Sequence, residues 1–155
     1  MKAKVCCFFG HRTIPESNEL KERLSAVIER LITSEKVDTF LFGSKSRFND
    51  LCHELVTKSK ERHPHVRRIY VRAEYPLISD AYKAYLLKDY EDTYYPERMI
   101  GAGKAAYVER NREMIRNSDC CVVYFKEGSA PAGRRSGTKI ALEYAIRQGK
   151  RVIRL

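Results

Sequence analysis

Three stretches of this chain combine glycine with basic or hydroxyl side chains, and each follows a run of strand-forming residues. They are Gly10-His11-Arg12 after CCFF, Gly43-Ser44-Lys45 after TFLF, and KEGSAPAGRRSGTK over Lys126–Lys139 after CCVVYF. Glycine lets the backbone come close to a ligand, a helix start offers N–H groups without intrahelical partners, and arginine or lysine adds charge. That combination suits an anion, a phosphate above all. The candidate binding residues are Gly10, His11, Arg12, Gly43, Ser44, Lys45, Arg112, Arg134, Ser136, Gly137 and Thr138. Cleaving a ligand would further require a carboxylate at a developing positive centre or beside an activated water. By spacing, Glu143 falls on the outer part of its helix, where a solvated surface role competes with a catalytic one, and Glu113 and Asp119 are substitutes with no better claim. A metal is not expected: there is no Cys-x-x-Cys, and His11, His53, His63 and His65 do not cluster with cysteine at ligand spacing. No cofactor is called for.

The elements that must position these residues alternate between strand and helix. Lys4–Phe9, Thr39–Phe42, Arg68–Ala73, Cys120–Phe125 and Val152–Leu155 read as strands. CCVVYF has no polar alternation, so both of its faces should be covered, as at the centre of a parallel sheet. Leu20, Leu24, Val27, Ile28, Leu31 and Ile32 recur at helical spacing. So do Phe48, Leu51, Cys52, Leu55 and Val56 before His63-Pro64, and Ile140, Leu142, Ala145 and Ile146 before Gly149. A polar helix over Glu109–Asn117 carries Arg110 and Arg112. The expected fold is α/β: a Rossmann-like three-layer sandwich, with a mostly parallel sheet of about five strands and helices on both faces. Ligands of such sheets gather beyond the carboxyl ends of the strands.

From about residue 74 to 103 the pattern breaks down into an insertion holding Tyr75, Tyr82, Tyr85, Tyr90, Tyr94 and Tyr95 with Pro76 and Pro96. It reads as a functional loop or partly helical lid. Its tyrosines could stack a nucleobase, or pack as a satellite cluster or a subunit interface.

Composition narrows the partners. The 155 residues are expected to form one domain over 1–155, and 30 Lys plus Arg against 20 Asp plus Glu give a net charge of +10. That balance favours anionic partners, although a basic surface also serves solubility alone. Of five cysteines, four sit as the neighbouring pairs Cys6-Cys7 and Cys120-Cys121 in strand-like runs, which reads as core packing in a reducing compartment. The apolar run in MKAKVCCFFGHR is too short for a signal or membrane segment, so a cytoplasmic protein with no membrane partner is expected.

A family resemblance rests on particular residues. The opening CCFFGHR, the Gly43 turn followed by RFNDL, the segment YPER, the helix ERNREMIRNSD, the strand CVVYF and the closing GTKIALEYAIRQGKRVI resemble the SLOG superfamily, most closely its small bacterial YpsA-like branch. The match runs through nearly the whole chain in order. The resemblance implies a Rossmann-like fold and a site for nucleotides or nucleotide-derived ligands at the strand ends, in a sensor or ligand-binding role. The related LOG enzymes hydrolyse the N-glycosidic bond of nucleoside monophosphates with an Arg and a Glu, and their E-R-K helix resembles Glu109-Arg110-Asn111. Arg110 and Glu143 are therefore the catalytic residues the resemblance implies, although AGRRSGT departs from the LOG motif P-G-G-x-G-T. Kinship with DprA implies nucleic acid as a further partner, and a homodimer is expected by the same analogy.

Overall fold

The computed structural model describes residues 2–43, 45–99, 103–126 and 136–155, with the backbone alone for Lys104. Elements follow in the order β1 (Val5–Gly10), α1 (Asn18–Thr33), β2 (Thr39–Phe42), α2 (Arg47–Lys60), β3 (Arg67–Val71), α3 (Asp80–Leu86), β4 (Asp92–Tyr94), α4 (Ala106–Arg116), β5 (Cys120–Tyr124), α5 (Gly137–Arg147) and β6 (Arg151–Arg154). The strands form one sheet in the order β4-β3-β2-β1-β5-β6, and every pairing is parallel. The chain order reverses between β1 and β5, which makes that junction the topological switch point.

Strand alternation sorts the core into two layers. Cys6, Phe8, Phe40, Phe42, Cys120 and Val122 face Leu24, Ile28, Phe48 and Leu51 of α1 and α2. Cys7, Phe9, Leu41, Cys121 and Val123 face Met114, Ile115, Ala141 and Ala145 of α4 and α5. The paired cysteines therefore divide between the faces as strand geometry dictates, and Cys7 and Cys121 meet across β1 and β5 with sulfurs 3.4 Å apart. Burial pushes the Cys7 thiol well above its ordinary value, so it sits in the core as a neutral, apolar group. Phe8 stacks between Phe40 and Phe42 at 5.7 and 5.4 Å, and each buried phenyl contributes about 1.5–3 kcal/mol.

Four helices open on a serine whose hydroxyl accepts a backbone N–H: Ser17 from Leu20, Ser46 from Asn49, Ser79 from Tyr82 and Ser136 from Lys139. Each such cap is worth about 1 kcal/mol. No described helix is long and apolar enough to cross a membrane.

The sheet has a sixth strand that hydrophobic patterning does not reveal, because β4 lies inside the tyrosine-rich insertion. DTY has no apolar run. It is held instead by polar bonds to β3. The Arg68 guanidinium pairs with both Glu91 oxygens at 3.1 and 2.8 Å. Thr93 Oγ1 donates to the Tyr70 carbonyl at 2.8 Å, and Arg72 Nη1 donates to Thr93 Oγ1 at 3.0 Å. The insertion is thus a helix, an edge strand and two short 3-10 turns, Glu97–Met99 and Gly103–Ala105.

Gly10 ends β1 for a reason of packing. A Cβ there would lie 2.3 Å from the ring carbons of Phe48, well inside any tolerated contact. Gly10→Ala is expected to destabilise the protein by about 1–3 kcal/mol, as overpacking does. The measurement is the denaturant midpoint, and a Phe48→Leu background should recover part of the loss. A midpoint equal to the parent would refute this account of the turn.

Candidate functional site

The carboxyl ends of the parallel strands form one rim, and α4, packed on one face of the sheet, reaches it through Arg110. Arg110 is only 4% exposed. Nη1 donates to the Gly43 carbonyl at 2.6 Å and reaches the Val71 carbonyl at 3.5 Å, while Nε donates to Asn111 Oδ1 at 3.0 Å. The guanidinium also sits 5.8 Å from the Tyr107 ring. Among the described residues Nη2 makes no hydrogen bond. Burial lowers the Arg110 pKa, but arginine starts so high that the group stays a cation.

Arg110 lines a cavity of about 50 Å³ together with Lys45, Tyr70, Arg72, Glu74, Tyr82 and Tyr107. Three cations face one carboxylate. Glu74 accepts a hydrogen bond from the Tyr107 hydroxyl and lies 3.7 Å from Lys45 Nζ. The Tyr107 bond holds the Glu74 carboxyl below its ordinary value, with Lys45 acting in the same direction. Arg72 is 8% exposed, and its Nε and Nη2 donate to the carbonyls of Tyr75 and Pro76 at 3.2 and 3.5 Å. It fixes the turn that carries Glu74 into place.

The structure separates the expected site residues into groups. Lys45 and Arg110 line this cavity, and the Gly43 carbonyl holds Arg110 there. At Gly43 a Cβ would meet Arg110 Cδ at 2.8 Å and Met114 Sδ at 3.0 Å. The missing side chain there admits Arg110, where the sequence suggested room for a ligand. Arg112 turns the other way: Nη1 donates to Glu109 at 3.1 Å and the guanidinium lies 5.4 Å from the Tyr144 ring. It lines a second cavity, of about 100 Å³, between α4 and α5, together with Tyr107, Asn111 and Gly137. Gly137 is exposed at the start of α5 with open space above its Cα. Thr138 is buried, and the Ser136 hydroxyl already accepts the Lys139 N–H at 2.9 Å. Glu143 lies farther along α5 and lines neither cavity. The carboxylate beside Arg110 is Glu74, which sequence reasoning missed because it opens an irregular segment. The only sequence signal was its place directly after the β3 run. Ser44 and Arg134, with Gly128, Gly133 and Arg135, lie outside the described residues.

At the switch point, Gly10 is filled by Phe48 rather than open to a ligand, and His11 Nε2 accepts the Lys126 N–H at 2.8 Å. Arg12 is exposed and uses its carbonyl to bind the Arg47 N–H at 2.9 Å. The first turn is thereby tied into the scaffold. Among the described residues, no group of three or more His, Cys, Asp or Glu side chains could hold a metal ion.

No protein-family model matches the chain, and no curated protein matches it. Among solved structures, the Moco carrier protein of Chlamydomonas rheinhardtii is similar over 100% of this chain and 77% of its own, at 17% identity and a TM-score of 0.54. At that identity the likeness shows a shared α/β, Rossmann-like fold.

Burial pushes the His11 pKa down, and the bond from Lys126 requires an unprotonated Nε2. A base whose folded-state pKa is depressed contributes stability above its unfolded value, lost as pH falls through the folded value. An NMR titration should therefore place His11 below about 6.5, the ordinary value. Its contribution to stability should be absent at the acidic end of the profile. A His11 pKa above 6.5 would contradict the assignment.

Proposed function

We propose that this protein binds a phosphate-bearing, nucleotide-type small molecule at the carboxyl rim of its sheet, as a sensor or ligand-binding domain of SLOG-like kind. The phosphate lies in the cavity of Lys45, Tyr70, Glu74, Tyr107 and Arg110. One observation carries the reading: a nearly fully buried arginine lines a cavity with a net positive complement of side chains, and its Nη2 is not spent on the described protein. Three cations beside the single Glu74 carboxylate leave buried positive charge in excess, which is costly, and an anionic ligand would offset that cost through charge-assisted hydrogen bonds. The net charge of +10 raises the local concentration of anions around the rim. The similar fold of a Moco carrier protein is in keeping with a scaffold that holds a small molecule.

The test is calorimetric titration with AMP and with pyrophosphate. Binding is expected, and Lys45→Glu should weaken it at least about tenfold, since it replaces an attractive by a repulsive charge. Lys45 is largely exposed, so the variant should fold. No heat with either probe would sink the reading. A loss with Gly137→Asp and none with Lys45→Glu would move the phosphate to the start of α5.

A second reading has its own observation, the Glu74 carboxylate beside Arg110. Cleavage of an N-glycosidic bond needs a carboxylate where positive charge develops on the ribosyl ring, and Glu74 is ionised at neutral pH. Under that reading AMP releases free adenine, Glu74→Gln abolishes release, and Glu143→Gln does not. A flat time course for the parent protein removes it.

A further inference from the structure

The cavity around Arg110 is too small for a whole nucleotide. Its volume of about 50 Å³ suits a phosphoryl group, whereas sites that engulf drug-sized ligands run to roughly 300–1,000 Å³. The remainder of any such ligand must lie over the mouth. There the insertion presents aromatic rings: Tyr75 and Tyr82 line the cavity itself and meet edge to face at 6.4 Å. Tyr85 continues the surface, its ring 6.2 Å from that of Tyr82 and within 16° of parallel, with Lys88 Nζ 6.0 Å from the Tyr85 centroid. Tyr75 and Tyr85 are 61% and 62% exposed. Monomeric proteins rarely leave contiguous aromatic surface open without a use for it. The rings are not loosely held, since the Ser79 cap starts α3 and the buried Arg72 grips the carbonyls of Tyr75 and Pro76.

We infer that Tyr82, flanked by Tyr75 and Tyr85, is a platform for the nucleobase of the ligand whose phosphate Lys45 and Arg110 hold. The inference rests on the phosphate site proposed above and adds the other half of the ligand. Stacking accepts any base because every base has a π-face, so the platform recognises nucleotides as a class. Discrimination among bases would fall to other contacts.

The experiment compares AMP with ribose 5-phosphate by calorimetry on the parent, Tyr82→Ala, Tyr85→Ala and Tyr82→Phe proteins. AMP should bind the parent about tenfold more tightly than ribose 5-phosphate, within the range for one base on an aromatic ring. Tyr82→Ala should erase that ratio, Tyr85→Ala, outside the phosphate cavity, should reduce it while leaving ribose 5-phosphate within about twofold, and Tyr82→Phe should keep it. Tyr85 is exposed enough that its variant tests the surface even if Tyr82→Ala fails to fold. Equal affinities for the two probes in the parent would overturn the platform and leave the phosphate site standing, as would a loss shared equally by both probes in the alanine variants. No binding of either probe would overturn the phosphate site and the platform with it.

Discussion

The bond from Arg110 to the Gly43 carbonyl joins two parts of the molecule that the chain connects only through a long excursion. It runs from α4 to the end of β2 and reaches the end of β3 through Val71. Met114 and Ile115 pack α4 on the sheet, and the Arg110 bond adds a polar tie to the strand ends, alongside the bonds that Tyr107 makes to Glu74 and Arg116 makes to Tyr144. The bond demands glycine at position 43, because a methyl group would strike the arginine stem. It also places a guanidinium where the fold leaves a hollow. A structural tie and an anion-attracting group are therefore one residue, and the burial that strengthens the first sharpens the second.

The first turn of the rim is occupied by the protein itself. Phe48 fills the space beneath Gly10, and the Lys126 N–H takes the His11 ring. The insertion shapes much of the cavity wall, through Glu74, Tyr75 and Tyr82. The insertion is in turn anchored by polar pairs as well as by the buried Leu86 and Met99 and by Tyr90 packed on the core. Arg68 with Glu91 and Arg72 with Thr93 do for β4 what burial does for β1, β2 and β5.

Five strands and four of the five helices were legible from apolar periodicity, because each carries a continuous or stripe-like hydrophobic pattern that a packed sheet requires. The sixth strand was not. Asp92-Thr93-Tyr94 is short and polar, and its pairing depends on contacts with Arg68 and Arg72 that no local pattern announces. For the site, charge and glycine pointed to Lys45 and the family resemblance to Arg110, and both line the same cavity. Charge and glycine misled at Gly10, where the missing side chain serves a phenyl ring, and at Arg112, which faces Tyr144 across α4 and α5. Spacing from a glycine motif pointed to Glu143, whereas the carboxylate near Arg110 comes from the other side of the sheet order. Such a residue is found only once β3 and α4 are seen to end beside each other.

Glu74 places a negative charge inside the space that also holds Lys45 and Arg110. Under the proposed phosphate site, an entering anion would meet repulsion from Glu74 as well as attraction from the cations, so the carboxylate that weakens capture in general would favour groups with more than one negative charge over simple monovalent salts.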